Sequence, residues 1–170
     1  MGAYNKEVNK GTTNMTSVTS TDKARYGSST DRVNSFDDSL EIEAIIPVLL
    51  HHHPEAQVIE KPYGEYGIDV VVRENGQDII WIELERSFGW NGRFRYNSAS
   101  FLERKAHFIE EAKAKGAQFR MVWFESNHRQ FLWADGETIS EYVPFTKTLN
   151  SGREERVRHI DIGQCNFYTM

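Results

Sequence analysis

Asp69 and the triplet Glu83-Leu84-Glu85 bring three carboxylates onto two neighbouring stretches of chain, and that pattern is the one most able to do chemistry. The stretches Gly67 to Arg73 (GIDVVVR) and Asp78 to Glu85 (DIIWIELE) are rich in β-branched residues. Between them lies Glu74-Asn75-Gly76-Gln77, a strong tight-turn signal, so an antiparallel hairpin is predicted. Side chains alternate faces along a strand, which sends Glu83 and Glu85 one way and Ile82 and Leu84 the other. Pairing outward from the turn sets Asp69 roughly opposite Ile82-Glu83. Carboxylates gathered this way repel, so one of them holds a proton or a cation relieves them. Mg²⁺ (or Mn²⁺) suits an all-oxygen site and keeps several of its waters. At a phosphodiester such an ion generates the attacking hydroxide and neutralises developing charge.

Acids at alternate strand positions are more commonly just the wet face of a sheet. Two details point away from that reading here. Ile68, Val70, Val71, Val72, Ile79, Ile80, Trp81, Ile82 and Leu84 make both strands apolar around the acids, as in a sheet covered on both faces. No Lys or Thr is interleaved with the acids.

The elements that must position them follow from the surrounding pattern. A helix is expected from Asp38 or Ser39, with Glu41 and Glu43 in its first turns and Leu40, Ala44, Ile45, Val48 and Leu49 at helical spacing. Pro47 predicts a kink or early break, and the helix should stop near His51-His52-His53-Pro54. Consecutive histidines point in different directions on a helix, so these three read as a polar helix end rather than one metal site. His107 and His128 are isolated and read as structural or exposed. Ala56 to Lys61 is a short strand. Ser98 or Ser100 is expected to cap a helix, FLERKAHFIEEAKAKG, that buries Phe101, Leu102, Phe108, Ile109 and Ala112 and stops at Gly116. Phe119 to Glu125 and Gln130 to Ala134 form a second hairpin. The order helix, three strands, helix, strand is an α/β architecture with a mixed sheet.

The loop from Arg86 to Tyr96 interleaves Arg86, Arg93 and Arg95 with Phe88, Trp90, Phe94 and Tyr96. That mixture suits phosphate contacts and base stacking. It suits equally well aromatics packed beneath the loop with snorkelling arginines. Arg104 and Lys105 extend the same basic patch.

At 170 residues the chain suffices for one domain plus a tail. Residues 1–34 are rich in Ser, Thr, Asn and Gly and poor in large aliphatics, so they cannot bury enough surface to fold alone. Residues 35–170 carry the domain. The tail carries a net +2, leaving −7 for the remainder of a chain whose total is −5. Such a segment orders against a partner, which makes a homo-oligomer or a larger assembly, a viral one included, an expected setting. The acidic total argues against a protein that coats nucleic acid generically. Cys165 is the single cysteine and forms no internal disulfide, which favours a reducing interior (cytoplasmic or intracellular, or within a virion). No secretory signal pattern and no membrane-length apolar run is present. Neither a nucleophile elbow nor a phosphate-cradling glycine loop occurs, so serine-hydrolase and P-loop chemistry find no support in the sequence.

The order of elements from about residue 38 to 134, with Asp69 on one strand and Glu83-Leu84-Glu85 on its partner, resembles the PD-(D/E)XK nuclease superfamily. The resemblance implies a restriction-endonuclease-like αβββαβ core, its central mixed sheet flanked by helices, and a metal-dependent endonuclease acting on DNA, with RNA as a second possible substrate. It implies that Asp69 and Glu83 ligate Mg²⁺, that Leu84 lends its backbone carbonyl, and that Glu43 or Glu41 completes the site from the first helix. Ile68 stands where the family has proline. Glu85 stands where it usually has the lysine that activates water. Some members use glutamate there, and others recruit a basic residue from the following helix, for which Arg104 and Lys105 are the candidates. Arg86, Arg93, Arg95 and Arg104 would hold the nucleic-acid backbone. The rival expectation is a non-catalytic subunit that keeps the nuclease-like fold for structure or nucleic-acid binding, its tail ordered by partner chains.

Overall fold

A computed structural model describes residues 38–64, 66–87, 89–149 and 151–170. The tail 1–34, and with it the expectation of a partner-ordered segment, lies outside the described residues, as does Phe88.

Helix α1 (Ser39–His52) opens the described chain. Strands β1 (Gln57–Glu60), β2 (Val70–Glu74) and β3 (Gln77–Ser87) follow. The Asn75-Gly76 turn closes β2 on β3 with both residues at positive φ, which is why an Asn-Gly pair serves there. Next come β4 (Ser98–Leu102), a 3₁₀ turn (Glu103–Lys105), α2 (His107–Ala114), β5 (Gln118–Glu125) and β6 (Gln130–Asp135). The chain ends with α3 (Gly136–Ser140), β7 (Phe145–Thr148), β8 (Glu154–Asp161) and β9 (Asn166–Thr169).

The fold is mixed α/β. Six strands in the order β1-β2-β3-β5-β6-β9 form the main sheet, and β4-β8-β7 form a three-stranded sheet. β3 and β5 pair in parallel, while their outer neighbours are antiparallel.

The main sheet is covered on both faces. On one side Ile42, Ile45 and Leu49 of α1 pack on Val70, Val72, Ile80, Ile82, Leu84 and Val122. On the other, Phe108, Ile109 and Ala112 of α2 join Ala99, Phe101 and Ile160 of the small sheet against Val71, Trp81, Phe119, Met121 and Trp123. Full burial of such side chains contributes about 1.5–3 kcal/mol each.

Two expectations about the elements need revision. Pro47 does not break α1, which continues to His52. Pro47 and Glu43, the residue four before it, both lie on the exposed side of the helix, where a lost backbone hydrogen bond is cheapest. The helix expected over residues 101–116, capped by Ser98 or Ser100, starts only at His107. Its first part is instead strand β4, because Ala99 and Phe101 alternate inward and the backbone finds its partner in β8, far along the chain. The segment after residue 136, which the local pattern leaves unassigned, supplies that partner. Gly116, at positive φ, stops α2 as expected.

Candidate functional site

β3 places the triplet. Val70 pairs with Ile82, so Asp69, one residue before β2, falls opposite Glu83. The Leu84 N–H donates to Asp69 Oδ2 at 2.8 Å, tying the aspartate to the backbone of the triplet itself. Glu83 and Glu85 point to the α2 side and Leu84 to the α1 side, as alternation requires.

Asp69, Glu83, Leu84 and Glu85 line a cleft of about 470 Å³. The opposite wall is the 3₁₀ turn with Arg104 and Lys105, then His107, the β7–β8 connection with Ser151 and Arg153, and Glu155 at the start of β8. Lys105 Nζ lies 2.6 Å from Glu83 Oε1. The turn that carries Lys105 is braced on both sides. Arg158 grips Glu103 through two bonds, Nε to Oε2 at 2.5 Å and Nη2 to Oε1 at 2.8 Å. Arg104 Nε donates to Glu155 Oε1 at 2.7 Å.

The charges in the cleft perturb one another. Burial first, then the charges of Glu83 and Asp38, push Asp69 up to about 8 against the pull of Lys105 and the Leu84 N–H. Burial also raises Glu85; Lys105 and Arg104 oppose the rise, and Glu83 and Glu155 add to it. Burial alone would lower Lys105, but Glu83, Glu85 and Asp69 outweigh it and hold the ammonium above its ordinary value.

Among the described residues, no group of three or more His, Cys, Asp or Glu side chains is gathered closely enough to hold a metal ion unaided. The donors that do meet are nevertheless of the kind a hard cation takes. Glu83 Oε2 is buried without a hydrogen-bond partner among the described residues, and Asp69, one residue before β2, falls opposite Glu83. Magnesium commonly binds through one or two carboxylates and keeps its remaining waters, so this pair fits it.

The first-helix acids are a correction. α1 packs on the face opposite Glu83, so Glu43 is exposed and is not among the residues lining the cleft. Glu41 is buried, and Arg86 and His128 take up its carboxylate: Arg86 Nε and His128 Nε2 share Oε1, the latter at 2.6 Å, while Arg86 Nη2 reaches Oε2 at 3.2 Å. Asp38, the helix N-cap, is the α1-end acid that meets the cleft, and it also pairs with Lys61 at 3.4 Å.

Arg86 is corrected with it. It shares strand parity with Leu84 and therefore faces α1 and Glu41, away from the cleft. Of the remaining expected nucleic-acid contacts, Arg104 lines the cleft, whereas Arg93 and Arg95 are exposed outside it. The loop aromatics divide between the two readings. Trp90 is fully buried and Phe94 packs against the core edge-on to it, while Tyr96 is exposed. Asp38, His107, Arg153 and Glu155 were missed as cleft residues, since nothing in their local sequence marks the long-range pairing that brings them there. No family model matches the chain, and no curated protein matches it.

Proposed function

We propose that the protein is a metal-dependent phosphodiesterase of the PD-(D/E)XK type, an endonuclease acting on DNA, built on a restriction-endonuclease-like arrangement of its mixed sheet. One observation carries this reading: Asp69 and Glu83 face each other across a hairpin at the floor of a cleft, with the Lys105 ammonium 2.6 Å from Glu83. Lys105 comes from the 3₁₀ turn that follows β4 and stands in for the lysine that Glu85 replaces. A nuclease needs carboxylates and one well-placed cation at this spacing; a purely structural ion pair has no need of the second and third acids beside it.

Asp69 and Glu83, with the Leu84 carbonyl, would hold Mg²⁺ (or Mn²⁺), and the bound ion would supply Lewis-acid stabilisation and an activated water. Lys105 orients the attacking water and offsets charge on the scissile phosphate. Glu85 receives the proton of that water, its affinity for a proton raised by burial. Arg104 and Arg153 at the cleft mouth hold the flanking phosphates. Exposed Arg93 and Arg95 engage the backbone further along.

The test is cleavage of plasmid DNA with Mg²⁺ or Mn²⁺ by the wild type, Asp69→Ala and Glu83→Ala. Cleavage by the wild type that both substitutions abolish is the expected result. Absence of cleavage with either metal, on DNA and on RNA, would turn the reading to a non-catalytic nucleic-acid-binding or assembly subunit.

A further inference from the structure

The opposite face of the main sheet carries a second concavity, of about 430 Å³, between α1 and strands β3, β5, β6 and β9. Its walls are apolar and aromatic: Val48 and Leu49 from α1, Val122, Phe131 and Trp133 from the sheet, and Tyr168 from β9. Strand alternation also sends Arg120, two residues before Val122, into this lining.

A guanidinium is out of place among such neighbours. Arg120 lies over the Trp133 ring with its central carbon 4.5 Å from the ring centroid. Its Nη2 makes one long bond, 3.3 Å, to Gln118 Oε1. Among the described residues its Nε is buried without a hydrogen-bond partner and the side chain forms no ion pair. Asp135, its cross-strand neighbour, is engaged elsewhere, its Oδ1 accepting from the Thr138 N–H to cap α3. Burial weakens the hold of Arg120 on its proton, and Asp135 only partly compensates. A fixed positive charge with an unused donor, set in an apolar groove of small-ligand size, is complementary to one kind of molecule.

We propose that this groove binds a small organic acid, a carboxylate on an aliphatic or aromatic body, with Arg120 as its counter-charge and Trp133, Phe131 and Tyr168 against its apolar part. The guanidinium fork matches a carboxylate, and His52 in the same lining offers a further polar group, while His53 is already paired with Glu74 at 3.2 Å. The site lies across the sheet from the carboxylate cleft, so it stands or falls apart from the nuclease reading.

Decanoate and its uncharged counterpart decanol distinguish charge recognition from greasiness. Isothermal titration of the full chain should give decanoate binding at least tenfold tighter than decanol. In Arg120→Gln that preference should vanish, and Arg120→Lys should keep part of it. Val48→Trp fills the groove and leaves Arg120 in place, so it should abolish decanoate binding even if Arg120→Gln fails to fold. The proposal is overturned if decanoate does not bind the wild type at millimolar concentration, if both probes bind equally, or if Val48→Trp binds decanoate as the wild type does.

Discussion

Lys105 Nζ and Glu83 Oε1 stand 2.6 Å apart although they come from different layers of the protein, a 3₁₀ turn and a central strand. The turn is held by Arg158 and Glu155, residues of the small sheet, so that sheet sets where the lysine sits. Replacing Lys105 with Met should lower kcat for DNA cleavage about 10²–10⁴-fold, the usual range for losing a group that orients or polarises the reacting water. Adding Glu85→Lys to that variant should restore part of the activity, because it returns the cation to the triplet. Single-turnover cleavage of a plasmid checks both.

Asp69 makes a prediction that needs no turnover. Its folded pKa, about 8, lies above the ordinary 3.8, so the native state holds a proton that the unfolded chain has already lost. That contribution is fully present below about pH 4 and is lost as pH rises through 8. Asp69→Asn keeps an acceptor for the Leu84 N–H but escapes the penalty. The variant should therefore be more stable than the metal-free wild type by about 1–3 kcal/mol at pH 8, with the gap closing toward pH 4. Millimolar Mg²⁺ should raise the melting temperature of the wild type and leave Asp69→Asn unmoved. Urea titrations across that pH range measure the first effect, and thermal melts with and without metal the second.

The hairpin that carries the acids was legible because its information is local. Asn75-Gly76 names the turn, and apolar alternation names the faces. β4 was not legible, because FLERKAHF taken alone reads as helix and only β8, beyond residue 150, supplies the partner that makes Ser98–Leu102 extended. Lys105 was legible as one of two candidates, since the turn that aims it is braced by the same distant strand. Glu41 was misread for a related reason: helical spacing says that it lies near the start of α1, but not that α1 covers the other side of the sheet.

Glu41 should accordingly matter to stability and not to chemistry. The carboxylate is buried; burial alone would raise its pKa, but bonds from Arg86 and His128 outweigh it and hold the group below its ordinary 4.5. Its contribution is therefore present above that value and lost as pH falls through the lower folded one. Glu41→Gln should cost about 2–4 kcal/mol at neutral pH, since Arg86 is left facing a neutral partner, and the deficit should shrink progressively as pH falls below 4.5. Chemical denaturation at two pH values measures it; the cleavage rate of the folded variant should match the wild type.

Arg93 and Arg95 lie outside the cleft and are exposed, so their part is electrostatic. The Arg93→Ala/Arg95→Ala double variant should weaken DNA binding and flatten the dependence of log affinity on log salt by about 0.9 for each phosphate that is no longer neutralised. Cleavage at saturating DNA should be unchanged. Fluorescence anisotropy over a salt series reads the slope directly.

One strand, β3, separates the two concavities, and its pleat turns successive side chains to opposite faces of the sheet. From 82 to 86 the parity of the residue number becomes a genetic address. Changes at 83 and 85 should alter the carboxylate cleft, and changes at 82, 84 and 86 the packing on the helix side. A single-residue deletion between Gly76 and Ile82 would exchange the two sets at once, burying glutamates under α1 and presenting leucine to the cleft. Volume-conserving substitutions along β3 should therefore be tolerated best, whereas any change in its length should be lethal to the fold.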